Sequence, residues 1–180
     1  MRSAAYLATA VLLLLVQSNF YRVLGPLGEL VGDRLVHGAT PSLLLPMVIY
    51  LGVYESSMAK GAGLAFAMGY MQDVLATAPL GLFAFVFVAI WWLSRVAGVR
   101  LTAQTWFTRV SLGFSFALVQ SAIVLIVLAV FGTDNRRPVS LASLVVPSAI
   151  ATGLFAPMLF VLAQRLRQGA LPRAAHELGV

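Results

Sequence analysis

Residues 69–93 read GYMQDVLATAPLGLFAFVFVAIWWL. The second half of this stretch, LFAFVFVAIWWL at 82–93, is apolar at every position. A membrane barrel strand alternates apolar and polar residues with a period of two, so an unbroken apolar run of this length specifies a helix. Just before it, Thr77, Ala78 and Pro79 leave room only for a tight turn, and the residues upstream form another apolar stretch that carries Asp73 near its end. The segment is therefore a helical hairpin, and the rest of the chain repeats its character.

Of the 180 residues, 61% are hydrophobic and 10% are charged, with a mean hydropathy of +0.94. Soluble domains are about 45–50% apolar and about 25% charged. So few charges cannot cover a water-facing surface, and the same figures exclude disorder. With no cysteine and two histidines, disulfides, thiolate zinc sites and iron–sulfur clusters are excluded and a histidine metal centre is disfavoured.

A helix crossing hydrocarbon needs roughly 20 predominantly apolar residues. Six stretches meet or approach this: 4–20, 41–56, 58–76, 80–97, 106–131 and 141–163. The expected fold is all-α, a single polytopic membrane domain over residues 1–180. The second stretch is the weakest, because it is short and contains Pro46. The first has Arg2 ahead of a leucine-rich run but no small-x-small cleavage site after it, so it reads as an uncleaved anchor. With the N-terminus inside, eight basic residues (Arg2, Lys60, Arg95, Arg100, Arg109, Arg165, Arg167, Arg173) are cytoplasmic and four (Arg22, Arg34, Arg136, Arg137) are outside. That asymmetry places both termini in the cytoplasm. The net charge of +6 is then explained by basic flanks facing anionic lipid, and no basic soluble module exists for nucleic acid.

The third stretch carries two rows of small residues at four-residue spacing, Gly61, Ala65 and Gly69, and Ala59, Gly63 and Ala67. Such rows let membrane helices approach closely, so this helix is expected to be crowded on two sides. Asp73 lies about 5 Å from the outer end of the stretch at 1.5 Å per residue. A carboxylate near a helix C-terminus faces the negative end of the dipole and needs compensation. Free N–H groups at the start of the next helix, around Leu80 and Gly81, would supply it and staple the hairpin, with Pro79 pre-set for a first helical turn. A solvated interfacial carboxylate and an ion or proton site are the other two roles.

Polar side chains elsewhere have duller readings. Glu55 and Lys60 form a solvated corner. Ser111, Ser115, Gln120 and Ser121 suit interhelical hydrogen bonds. Pro147 and Pro157 should bend the sixth helix, with Ser148 and Thr152 beside them on a cavity wall or a kinked packing surface. After Pro26, apolar Leu27, Leu30, Val31 and Leu35 occupy one helical face, and Glu29, Asp33 and His37 another. That amphipathic stretch should lie in the outer interface as a solvated or partner-docking face; as a metal site it is weak.

Gly69, Asp73, Pro79, Leu80 and Gly81, in that order and spacing, resemble the signature of the rod shape-determining protein MreD family. Chain length, six apolar stretches, a long first outer loop and a basic C-terminal tail extend the resemblance to the whole chain; the polar corner at Glu55 and Lys60 departs from it. The resemblance implies a non-enzymatic, cofactor-free component of the bacterial cell elongation machinery in the inner membrane, scaffolding MreC and peptidoglycan synthesis. Implied partners are an MreC-like single-span protein, the actin-like MreB, RodZ, and RodA with its penicillin-binding transpeptidase. It also implies a helix arrangement similar to the substrate-binding component of energy-coupling-factor transporters. A vitamin-binding transporter subunit is therefore the alternative, but such a site needs convergent polar groups, and the chain offers few beyond Gln120, Ser121 and Asn19. Enzymatic readings are weakest: both histidines lie outside the apolar stretches, and the six acidic residues are scattered.

Overall fold

A computed structural model describes residues 2–31, 41–55, 57–75, 80–97, 106–131 and 138–168. The described residues form six helices: α1 (Arg2–Val31), α2 (Leu45–Tyr54), α3 (Met58–Leu75), α4 (Leu82–Val96), α5 (Trp106–Phe131) and α6 (Pro138–Gln168). No strand occurs among the described residues. The apolar runs thus become helices, whose backbone groups are satisfied within each segment.

The element that organises the bundle is α2, drawn from the weakest stretch. Every residue from Leu45 to Gly52 is buried, and α2 packs against α3, α4, α5 and α6. Ten residues rise about 15 Å, half of a hydrocarbon core roughly 30 Å thick. The expected stretch 41–56 is thus a short helix enclosed by its neighbours. Pro46 does not interrupt it, because it stands in the first helical turn, where a missing N–H costs nothing and the fixed φ suits the helix. The non-helical residues before it are held by side chains from elsewhere. The Ser42 N–H donates to Thr152 Oγ1 at 3.0 Å and the Leu43 N–H to Gln17 Oε1 at 3.2 Å. Irregular backbone is tolerated inside a membrane bundle only where it is enclosed in this way.

Two helices outrun the expected stretches. The first continues from residue 20 to Val31, through Pro26, so the start of the expected interfacial loop is helix. A pattern with one apolar face fits a continuing helix as well as a separate one. The last helix is 31 residues long, with Pro147 and Pro157 inside it. By length and composition, Trp106–Val130 of α5 and Val145–Gln168 of α6 are each sufficient to cross a bilayer, while Ser3–Asn19, α2 and α4 are shorter apolar helices.

Helix crossings are made where side chains vanish. A Cβ on Gly69 would sit 2.5 Å from the Cα of Ala84 and from the carbonyl oxygen of Phe83, so α3 and α4 touch backbone to backbone there. A Cβ on Gly52 would collide with Ser94 Oγ and lie 2.7 Å from the Trp91 carbonyl, so α2 crosses α4 equally closely. The Ser94 hydroxyl is folded back onto the Trp91 carbonyl at 2.8 Å, which pairs that hydroxyl at the crossing.

Candidate functional site: the hairpin locked by Asp73

Asp73, in the last turn of α3, is 1% exposed. Its carboxylate accepts three backbone N–H bonds from the start of α4. Oδ2 accepts from Gly81 at 3.1 Å and from Ala84 at 3.0 Å, and Oδ1 from Phe83 at 2.8 Å. Gly81 is the N-cap of α4 and offers no side chain to its own helix. Phe83 and Ala84 are the second and third helical residues, whose N–H groups a capping side chain normally satisfies. Asp73 therefore caps α4 from the preceding helix. Its charge opposes the dipole of α3 but lies on the positive end of α4. Sequence spacing directs attention to Leu80 and Gly81; the donors are Gly81, Phe83 and Ala84, because the helical N–H groups converge on one point while Leu80 turns outward, 76% exposed.

Each glycine of the hairpin has its own physical reason. Gly69 is required by space, since any side chain would strike the backbone of α4. Gly81 has room for a Cβ, with nothing within 4 Å, but its φ of +94° lies in the left-handed region that side chains disfavour. That turn swings the α4 N–H groups onto Asp73. Pro79 lies outside the described residues.

Only one of the two small-residue rows of α3 is enclosed. Gly61, Ala65 and Gly69 are buried, with Gly61 seated against the indole of Trp91. The other row points outward: α3 packs against α1, α2 and α4, but the expectation that both rows are packed is corrected. Ala59 and Gly63 are exposed and Ala67 half-buried, and a Cβ on Gly63 would meet nothing within 4 Å. The rows are offset by two residues, about 200° around a helix, so α4 covers one and leaves the other bare. Beside the bare row, Phe66 and Tyr70 are exposed and stacked, with ring centroids 6.4 Å apart.

At the opposite end of the bundle, Lys60 is exposed, as a solvated corner requires, while the backbone at Glu55 is tied down. Arg95 donates to the Glu55 carbonyl at 2.8 Å and lies 5.7 Å from the Trp91 ring centroid. Arg167 lies 5.4 Å from that of Tyr54, whose ring is tilted against that of Tyr50 with centroids 4.6 Å apart. The Arg95 hydrogen bond thus ties the end of α4 to that of α2, and the Arg167–Tyr54 contact ties α6 to α2. The signal was a basic residue in the last turn of both α4 and α6; Arg95 reaches the ring four residues back on its own helix, whereas sequence spacing says nothing of Arg167 reaching Tyr54 on α2.

Thr152 proves to be a packing contact: it is 1% exposed, bonded to Ser42 and, at 2.8 Å, to the Ser148 carbonyl. Asn19 bonds within its own helix, to the Leu15 carbonyl at 2.9 Å. Gln72 and Gln120 are buried, each with its side-chain oxygen unpaired among the described residues. The Glu29 side chain, Asp33 and His37 lie outside the described residues, and no cluster of potential metal ligands occurs among those described.

The Gly69–Asp73–Gly81 lock sits inside a longer match. The family described as rod shape-determining protein MreD matches residues 6–166. The chain belongs to the MreD family. That stretch takes in α1 from its first turns, the locked hairpin and nearly all of α6. No curated protein and no solved structure matches the chain. Membership in the MreD family makes this a membrane protein with a role in rod shape determination.

Proposed function

We propose that this MreD-family chain is a non-enzymatic scaffold of the cell elongation machinery in the bacterial inner membrane. Its partner on this reading is an MreC-like single-span protein, which ties it to MreB, RodZ, RodA and the penicillin-binding transpeptidase. The observation that carries the reading is the family match over residues 6–166. The arrangement of the chain supports it: the soluble connections are too short to form a partner-binding domain, so recognition falls to helix surfaces. The bare Ala59–Gly63–Ala67 row, flanked by Phe66 and Tyr70, is the best surface for a partner span. In lipid, helices associate by close backbone approach and shape rather than by hydrophobic drive. The proposal includes six membrane-embedded helices in one domain, both termini cytoplasmic and α2 enclosed, in an arrangement like the substrate-binding component of energy-coupling-factor transporters.

Depletion of the chain from a rod-shaped host tests it. Cells are expected to round up and to regain rod shape when the wild-type chain is restored. Rods that persist on depletion, together with tight binding of a vitamin by the purified protein, would transfer the assignment to the transporter subunit.

A further inference from the structure

The first turn of α2 is buried and has no side-chain cap. Leu44, at the N-cap position, makes no side-chain hydrogen bond, and the bond from the Val48 N–H to the Leu44 carbonyl opens the helix. The N–H groups of Leu45 and Met47 precede that bond, so the helix itself gives them no acceptor, and Pro46 has no N–H to give. Leu44, Leu45 and Met47 are all 0% exposed, which shuts them off from bulk solvent. On α3, Gln72 is 7% exposed with its Oε1 unpaired, and just before α2 the Ser42 Oγ is also buried and unpaired among the described residues. We propose that a bound water molecule joins these groups, in an internal site between the start of α2 and Gln72 of α3.

Helix lengths bring the groups to one level. A Cβ on Gly52 of α2 would lie 2.7 Å from the Trp91 carbonyl, and one on Gly61 of α3 would lie 2.6 Å from the Trp91 indole nitrogen. Both helices therefore meet α4 at Trp91. Eight residues on from there, about 12 Å of helix, α2 reaches Leu44 and α3 reaches Gly69. Ser42 and Gln72 stand just beyond. Gln72 is on the enclosed side of α3 with Ala65, Met68 and Gly69, and α3 packs against α2. Chemistry then selects the ligand. The start of α2 offers donors, Gln72 Oε1 an acceptor, and the Ser42 hydroxyl either. An anion would satisfy the donors but oppose the Gln72 oxygen, and a cation would do the reverse. The neighbouring Asp73 carboxylate is already taken up by Gly81, Phe83 and Ala84. Water both donates and accepts, and a buried water in a protein bridges about three otherwise unpaired groups. It also lets α2 begin partway through a membrane bundle, where irregular backbone needs a lining of protein or water.

Radiolytic hydroxyl-radical footprinting of the full chain in detergent tests this, with methionine oxidation read by mass spectrometry. Radicals formed from a bound water oxidise the side chains beside it, where radicals from bulk solvent do not reach. Met47, in the first turn of α2, and Met68, one turn from Gln72, are both 0% exposed and serve as reporters, while the half-exposed Met58 gives the bulk rate. In the wild type, Met47, Met68 or both should be oxidised at a rate comparable with that of Met58. Q72M keeps the side-chain length and removes the amide, and should lose that oxidation with Met58 unchanged. Misfolding would raise oxidation at the buried methionines, so a loss reports the water and not the fold. Protection of both reporters in the wild type would overturn the proposal, and so would undiminished oxidation in Q72M.

Discussion

At the scale of single residues, Asp73 shows why a carboxylate persists in so apolar a chain. Three N–H groups of α4 converge on it at 2.8–3.1 Å in a site closed to solvent. Asp73→Ala would leave those donors unpaired, and hydrogen bonds to a charged acceptor contribute about 1.5–3 kcal/mol each. Because α4 can relax, the expected loss is roughly 2–4 kcal/mol, at or above the upper end of about 2 kcal/mol for a lost helix cap. Asp73→Asn should fall between. One oxygen can still accept from Gly81 and Ala84, but the amide nitrogen then faces the Phe83 N–H. Thermal unfolding in detergent should rank wild type above Asn and Asn above Ala; equal melting temperatures would remove the capping role. The need for compensation at Asp73 is legible in sequence from its place at a helix end. The identity of its donors is not, because it depends on the left-handed turn at Gly81.

At the scale of elements, the hairpin depends on glycines that sequence cannot tell apart. Gly69 and Gly63 belong to rows of the same composition on one helix, yet one faces the backbone of α4 and the other open space. Gly69→Ala should therefore force α3 and α4 apart at a cost of about 1–3 kcal/mol, the range for overpacking. Gly63→Ala should be neutral or slightly stabilising, since alanine is the better helix former. Comparing the two melting temperatures checks the assignment, and equal destabilisation would contradict it. The same limit hid α2. A ten-residue apolar run with a proline reads as a poor span, and only its burial by four neighbours shows it to be the core. Helical class was legible throughout, because runs such as 82–93 admit no other period; which face meets which neighbour was not, because an almost uniformly apolar helix has no polar side to orient it.

At the scale of the whole molecule, one end of the bundle is clasped by Arg95 on the Glu55 carbonyl and Arg167 on the Tyr54 ring and the other by a carboxylate on helix N–H groups. Between them, one apolar face of α3, with Phe66 and Tyr70, is left uncovered. The basic residues concentrate at the first end, so phosphatase fusions after Gly38 and Asn135 should be active and one after Val180 inactive; an active fusion at Val180 would refute the six-helix topology. The central claim is that the bare face of α3 receives the span of an MreC-like partner in the elongation machinery. Photo-crosslinking in growing cells tests this most directly, with a photoreactive side chain at Tyr70 and, as control, at Ile126 of α5, which is at least as exposed and on a helix that does not contact α3. The account predicts an adduct with the single-span partner from position 70 and none from 126; adducts from neither position, or equally from both, would contradict it.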